Sequence, residues 1–263
     1  MIASVVVITK NQKDLFKKSL PIILNQKLKG SYEIIVVDSG STDGAVEYIK
    51  SLPVKLVQIR LEKFNYAFAF NKGASQAKGE YLIRLSGDCI PLRSDFIREL
   101  IGSFKDNKVG GAYGKYTISG KKGYGYPSYW PASRFPKELV RYSTKRKMFT
   151  GIVEIGKART EIFNFAGGCC AIRKSIWVKR PFNEKLSEGE DAEYAWFLHT
   201  AGYDIVYNPK AVVLHEHKLK FGYELYKWFK PHNLRFWYEI LKYWFLRIFG
   251  IDLYRDVRQE VYT

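Results

Sequence analysis

The stretch IIVVDSGSTDG, from Ile34 to Gly44, constrains the fold more than any other part of the chain. A run of β-branched apolar side chains, Ile34 to Val37, makes a short buried strand that ends on an acid, Asp38. Polar turn residues at the carboxyl end of a buried strand build the ligand crevice of open α/β sheets. An acid there can accept hydrogen bonds from a ribose hydroxyl or a base N–H. The same residues also suit an ordinary strand-to-helix turn with Asp43 as helix cap, so this stretch alone leaves both readings open.

The neighbouring segments repeat the pattern. Ser4 to Thr9 reads as a buried strand, followed through Lys10 and Asn11 by a Leu- and Ile-rich helix interrupted at Pro21. Glu33 to Val37 is the second strand, Asp43 opens a helix from Gly44 to Ser51, and Val54 to Ile59 is the third strand. Asn65 to Lys78 reads as a helix closed by Gly79, and Glu80 to Leu85 is a fourth strand running into Ser86, Gly87 and Asp88. Strands alternating with helices predict βαβ units and a mostly parallel, Rossmann-like sheet with helices on both faces. The loops carrying Asp38 and Asp88 then share one carboxyl edge, where a nucleotide can bridge them. From Gly110 to about Gly156 the Gly-, Tyr- and Lys-rich pattern predicts loops. FNFAGGCC (163–170) leads into a strand-like AIR and a short helix from Lys174. Ser187 opens another helix, with Glu190 completing a capping box and Gly202 ending it. Ile205 to Tyr207 and Ala211 to Leu214 are short strands.

A chain of 263 residues, 46% hydrophobic, supplies a sizeable core. Its net charge of +17 predicts an anionic partner: nucleotide phosphates, an acidic membrane face, an anionic polymer or nucleic acid. Cys89, Cys169 and Cys170 form neither a disulfide framework nor a CxxC metal pattern, and read as small buried residues in a reducing compartment. The first strand starts too early to leave room for a signal peptide, and no window of about 20 residues is free of charge, so the expected location is cytoplasmic.

The order of VVVITKN, VVDSGSTDG, NKGASQAKGEYLIRLSGDCIP, FAGGCCAIRKSIW and SEGEDAEYAWFLHTAGYDIVYNPKAVVLHEH resembles family 2 glycosyltransferases, which have the GT-A fold. The match runs from residue 4 to about 217, and FNYAFAFNKGA with the HEH ending looks most like rhamnosyltransferase-type members. The resemblance implies residues 1–217 as a catalytic domain, with 1–110 the nucleotide-sugar half and 111–217 the acceptor half. Residues 218–263 follow as a helical tail. It implies a nucleotide-diphosphate-sugar donor and an inverting transfer to a hydroxyl of a glycan, lipid-linked sugar or polysaccharide. Thr9 and Asn11 match the first nucleotide loop, Asp38 the acid that holds base or ribose, and Asn71 and Gly73 the helix lining the donor site. Asp88 matches the last acid of the metal-binding DxD motif, with Ser86 and Gly87 beside it. Asp191 matches the catalytic base, and His215 a late histidine that completes the metal site.

Inverting transfer needs a base for the acceptor hydroxyl and positive charge on the leaving diphosphate. Asp191 lies in the first turn of its helix, where free N–H groups and the dipole favour an anion; the alternative is simple dipole complementation by Glu188, Glu190, Asp191 and Glu193. Asp88 beside a glycine suits Mg²⁺ or Mn²⁺, though Ser86 stands where the first DxD acid belongs, which weakens the site. His215 and His217 point to opposite faces of an extended segment, and His215 is preferred as the ligand. Lys72 or Arg84 are alternative partners for the diphosphate, and Phe163 to Cys170 is expected to wall the acceptor side.

Beyond Phe221 the chain is aromatic and basic. Trp237, Ile240, Leu241, Trp244, Phe245 and Ile248 form a stripe at helical spacing, suited to peripheral membrane contact or to a homodimer through 221–250. The competing function is a basic nucleic-acid- or membrane-surface-binding protein built on an inactive GT-A fold. Nucleic acid is disfavoured because the basic residues are dispersed and no recognised binding motif is present.

Overall fold

The computed structural model describes residues 1–117, 137–143, 165–186 and 189–216. The aromatic tail, Phe163, Ser187 and His217 lie outside the described residues. The first half is the expected alternation: β1 (Ala3–Thr9), α1 (Lys13–Leu24), β2 (Tyr32–Asp38), α2 (Ala45–Lys50), β3 (Lys55–Gln58), α3 (Tyr66–Ala74) and β4 (Tyr81–Ser86). A short β5 (Cys89–Pro91) and α4 (Phe96–Ile101) follow. The second half contributes β6 (Val109–Thr117), β7 (Val140–Tyr142), β8 (Cys169–Arg173), α5 (Lys174–Lys179), α6 (Glu190–Thr200) and β9 (Asp204–His215).

One sheet joins the described strands in the order β3-β2-β1-β4-β8-β6-β9-β5, with β7 also on β9. β1 runs parallel to β2 and β4, β2 to β3, and β6 to β9; β8 enters antiparallel between β4 and β6. Side chains alternate across this sheet. Val5, Val7, Val36, Ile83 and Leu85 cover one face with Phe16 and Leu20 of α1 and Phe96 and Leu100 of α4. Val6, Ile8, Ile35, Val37 and Leu82 face the other way onto Ala67 and Phe70 of α3 and Tyr194 and Leu198 of α6. The near-continuous apolar strands of the first half follow from burial on both faces. All three cysteines are free and buried.

Several boundaries differ from the sequence expectations. Helix α1 passes through Pro21 and ends at Leu24, since the proline is exposed in the last turns and its fixed φ suits a helix. Helix α3, capped by the Asn65 side chain on the Phe68 amide, stops at Ala74 rather than Lys78. The segment read as loops from Gly110 contains β6, a central strand. Its glycines admit close neighbours: a Cβ on Gly111 would meet Leu198 and Phe165, and one on Gly114 would meet the Ala211 backbone and Cys169. The two short strands expected near the end are one strand, β9, whose partnership with β6 shifts register between Gly114 and Lys115.

Candidate active site

The carboxyl ends of β1 and β2 are laced together. Asn11 adopts a left-handed φ of 53°, which asparagine tolerates, and no other non-glycine among the described residues has a positive φ. Its amide donates to Ser41 Oγ at 2.8 Å, and its Oδ1 accepts from the Thr42 amide at 2.7 Å. Asp43 bridges the same loops, accepting from the Lys13 amide at 2.8 Å and the Ala45 amide at 3.0 Å. Thr9 is buried at the end of β1 and donates to Gln12 Oε1 at 3.2 Å. Asp38 is fully buried, and its carboxylate accepts from the Gly40 amide at 3.0 Å, the Ser41 amide at 3.1 Å and the Ser41 hydroxyl. In this conformation Asp38 orders the crevice wall from behind.

The resemblance assigns Asn71 and Gly73 to the donor side of α3, but both face inward. Asn71 Nδ2 donates to the Phe182 carbonyl at 2.8 Å and to Glu184 Oε1 at 2.9 Å, while its Oδ1 accepts from Trp177 Nε1 at 2.9 Å and the Phe182 amide at 3.2 Å. Those four bonds use the whole capacity of an amide side chain. At Gly73 a Cβ would strike Val6 and Val37, so this glycine seats α3 against the sheet. Lys72 is exposed, with its ammonium 5.3 Å from the Phe68 ring centroid.

The Ser86, Gly87, Asp88 turn closes over the end of β4. Gly87 donates its amide to the Ile8 carbonyl at 2.8 Å, and Ser86 donates its amide to the Gly168 carbonyl at 3.0 Å. Asp88 Oδ2 lies 3.3 Å from His215 Nε2, because β5 and β9 pair Cys89 with His215. Ligand atoms of Asp88, Cys89 and His215 all fall within 4.8 Å of one another. Burial pushes the Cys89 thiol well above its ordinary range, with Asp88 adding to the push, which favours the carboxylate and imidazole as ligands. The His215 ring stacks on Tyr116 with centroids 5.0 Å apart. The Tyr116 hydroxyl accepts from the Gly168 amide at 2.8 Å. Next along the chain, the Gly167 amide donates to Asp191 Oδ2 at 3.0 Å.

Asp191 is the second residue of α6, which begins after Gly189 with no side-chain cap. The expected capping-box role of Glu190 does not hold: its carboxylate is buried and meets Arg84 Nη2 at 2.5 Å. Arg84 is therefore committed to Glu190 and does not stand open to a diphosphate. Tyr116 was hidden from sequence reasoning by the mistaken loop assignment. The GG of FNFAGGCC was visible, and its two amides tie Asp191 to Tyr116.

A parallel first half, an antiparallel strand inserted beside β4, and acids converging on one sheet edge define the GT-A class. The chain belongs to glycosyl transferase family 2: the family profile matches residues 4–179, a span that holds Thr9 to Asp88, while Asp191 and His215 lie beyond it. Among curated relatives, the poly-beta-1,6-N-acetyl-D-glucosamine synthase of Staphylococcus epidermidis is 25% identical over 77% of this chain, which spans 47% of that protein. A dolichyl N-acetyl-alpha-D-glucosaminyl phosphate diacetamido-dideoxy-glucuronosyltransferase of Methanococcus voltae is 31% identical over 39% of this chain and 33% of its own length. Among solved structures, S. aureus TarS 1–349 with UDP-GlcNAc superposes with TM-score 0.64 at 18% identity, over 84% of this chain and 60% of that one. The mannosyltransferase PcManGT of Pyrobaculum calidifontis, solved with GDP-Man and Mn²⁺, gives TM-score 0.61 at 20% identity, over 85% of this chain and 59% of that one. The chain thus spans less than two thirds of the length of each of these relatives.

Proposed function

We propose that the chain transfers a sugar, with inversion, from a nucleotide-diphosphate donor to a hydroxyl acceptor. The carrying observation is the continuous track from Asp191 through Gly167, Gly168 and Tyr116 to His215 and Asp88. It sets a carboxylate suited to proton abstraction and a carboxylate–imidazole pair suited to a hard or borderline cation at two ends of one rim. Relatives whose structures hold UDP-GlcNAc, or GDP-Man with Mn²⁺, support a nucleotide-sugar and a divalent cation here.

In this reading Asp191 Oδ2 takes the acceptor proton as the acceptor oxygen attacks the anomeric carbon and the nucleoside diphosphate leaves from the opposite face. The donors within reach of Asp191, the Gly167 and Ala192 amides, orient the carboxylate. Asp88 and His215 are the residues that would hold Mn²⁺ or Mg²⁺ at this rim. A divalent cation held there would supply charge neutralisation for the diphosphate. The loops held by Asn11, Asp38 and Asp43 receive the nucleoside. The acceptor is a glycan or lipid-linked sugar at the cytoplasmic membrane face, the setting that suits the basic aromatic stretch 221–250. No described helix is long and apolar enough to cross a membrane.

The test is donor binding and cleavage across UDP-, GDP- and dTDP-sugars with Mn²⁺, Mg²⁺ or EDTA, for the wild type and Asp191→Asn. One donor that binds saturably, with turnover lost and binding kept in Asp191→Asn, supports the proposal. Absence of binding to every nucleotide-sugar sinks it.

A further inference from the structure

Directly behind Asp191 lies a charge pair that the chemistry above does not use. Arg84 and Glu190 side chains are 4% and 6% exposed, and Nη2 meets Oε1 at 2.5 Å. Arg84 projects from β4, a central strand paired with β1 and β8. It shares a sheet face with Ser86, two residues on. The rings of Tyr66, Phe70 and Phe182 stand 5.9, 5.9 and 5.5 Å from the guanidinium carbon and hold the head group by cation–π contact. Among the described residues nothing accepts a hydrogen bond from Arg84 Nε or Nη1, though both are buried.

As a source of stability this arrangement is poor. Two charges have been taken out of water, and two guanidinium nitrogens find no acceptor among the described residues; apolar side chains of similar volume would fill the space at lower cost. What the pair does achieve is local. Helix α6 begins at Glu190 without a side-chain cap, on a left-handed glycine. The Glu190 carboxylate therefore ties the first residue of α6 to the middle of the sheet, and Asp191 is the next residue. Arg84 also cancels the charge of a carboxylate adjacent to Asp191, which would otherwise crowd like charge at the helix start.

We infer that Arg84 and Glu190 are positioning residues, which fix the start of α6 on the sheet and thereby aim the Asp191 carboxylate at the acceptor hydroxyl. This rests on the reading of Asp191 as the base. Neither residue touches substrate; both act through the helix start, so turnover and not donor binding depends on them.

The experiment compares Glu190→Gln, the apolar double variant Arg84→Met/Glu190→Leu, Asp191→Asn and the triple combination. Readouts are melting temperature, affinity for UDP and GDP with Mn²⁺, and kcat for nucleoside diphosphate release from UDP-GlcNAc, GDP-mannose and a dTDP-sugar. The double variant is expected to melt at or above the wild-type temperature. Nucleoside diphosphate affinity should stay within about twofold, and kcat should fall about 10- to 100-fold, the scale of a small misplacement of a reacting group. In the Asp191→Asn background the same two substitutions should change kcat less than about twofold, since the group they aim is gone. A double variant with wild-type stability and wild-type kcat overturns the inference and makes the pair core filling. Should the double variant not fold, Glu190→Gln and Arg84→Met decide together: the first keeps the volume and a hydrogen bond to Arg84 and should hold kcat near wild type, the second removes the tie and should lower kcat about 10-fold or more, and an Arg84→Met kcat equal to wild type overturns the inference. If Asp191→Asn itself turns over normally, the reading of the base has failed, a result distinct from the failure of the positioning pair.

Discussion

Gly167 and Asp191 touch so closely that a Cβ on the glycine would lie 2.8 Å from Asp191 Oδ2 and 2.9 Å from Asp191 Cβ. The Gly167 amide also donates to that oxygen. Gly167 is not among the glycines with positive φ, so alanine is compatible with the backbone and only the contact resists it. Gly167→Ala is expected to displace the carboxylate, lowering kcat about 10- to 100-fold while leaving nucleoside diphosphate affinity unchanged. Single-turnover donor cleavage alongside calorimetric UDP or GDP binding reads both. Wild-type turnover would mean that the aim of Asp191 does not matter.

Asn71 shows how a motif residue can serve the scaffold. Its amide joins α3 to Trp177 on α5 and to the loop at Phe182 and Glu184. In Asn71→Asp both donors are lost, and a carboxylate faces Glu184 and the Phe182 carbonyl, two acceptors. The expected loss is about 2–4 kcal/mol of folding stability, measured by urea denaturation. Donor affinity of the folded protein should be preserved. A large loss of donor affinity with unchanged stability would return Asn71 to the ligand side.

The parallel first half was legible because its signals are local. Val36, Val37 and Asp38 announce both a strand and the edge at which it ends, and the same holds for Leu85 through Asp88. The second half was less legible because its glycines, at Gly111 and Gly114, look like loop signals until the facing side chains of Phe165, Leu198 and Cys169 are known. Those contacts are between residues far apart in sequence. For the same reason the Glu190 to Arg84 pair was invisible: three residues after Ser187 a glutamate reads as a capping box, and a buried partner from β4 overrides that local preference. The candidate base and the candidate cation ligands were named by motif, whereas Tyr116, which links them, required β6 to be recognised as a strand.

His199, on α6 and 4% exposed, gives the fold an acid limit. Burial holds its pKa down to about 4, against smaller opposite pulls from the Tyr203 backbone and Asp204. In the unfolded chain the imidazole takes up its proton near pH 6.5. The native state therefore binds fewer protons between about pH 6.5 and 4, and stability falls as pH drops through that window, by about 3 kcal/mol in total. Above pH 6.5 this contribution is complete and flat. His199→Gln should remove the slope between pH 6.5 and 4, seen in denaturation midpoints across pH. An unaltered slope would show that other groups set the acid limit.

The last prediction concerns the cation. Ser86 stands where a second acid would help to hold it, and its Oγ would lie 2.9 Å from a Cβ on Gly168, on the same rim as Tyr116. On the proposed reading one carboxylate and one imidazole, Asp88 and His215, would make a sparse ligand set. Asp88→Asn and His215→Gln should each raise the Mn²⁺ concentration for half-maximal turnover at least about 10-fold. Ser86→Asp should lower it, since a second carboxylate on this rim adds negative charge beside the proposed cation ligands. Manganese titrations of donor cleavage, with nucleoside diphosphate affinity measured in EDTA as the reference, test the three together. If Asp88→Asn loses affinity equally with and without Mn²⁺, then Asp88 acts on the donor directly and the carboxylate–imidazole pair is not a cation site.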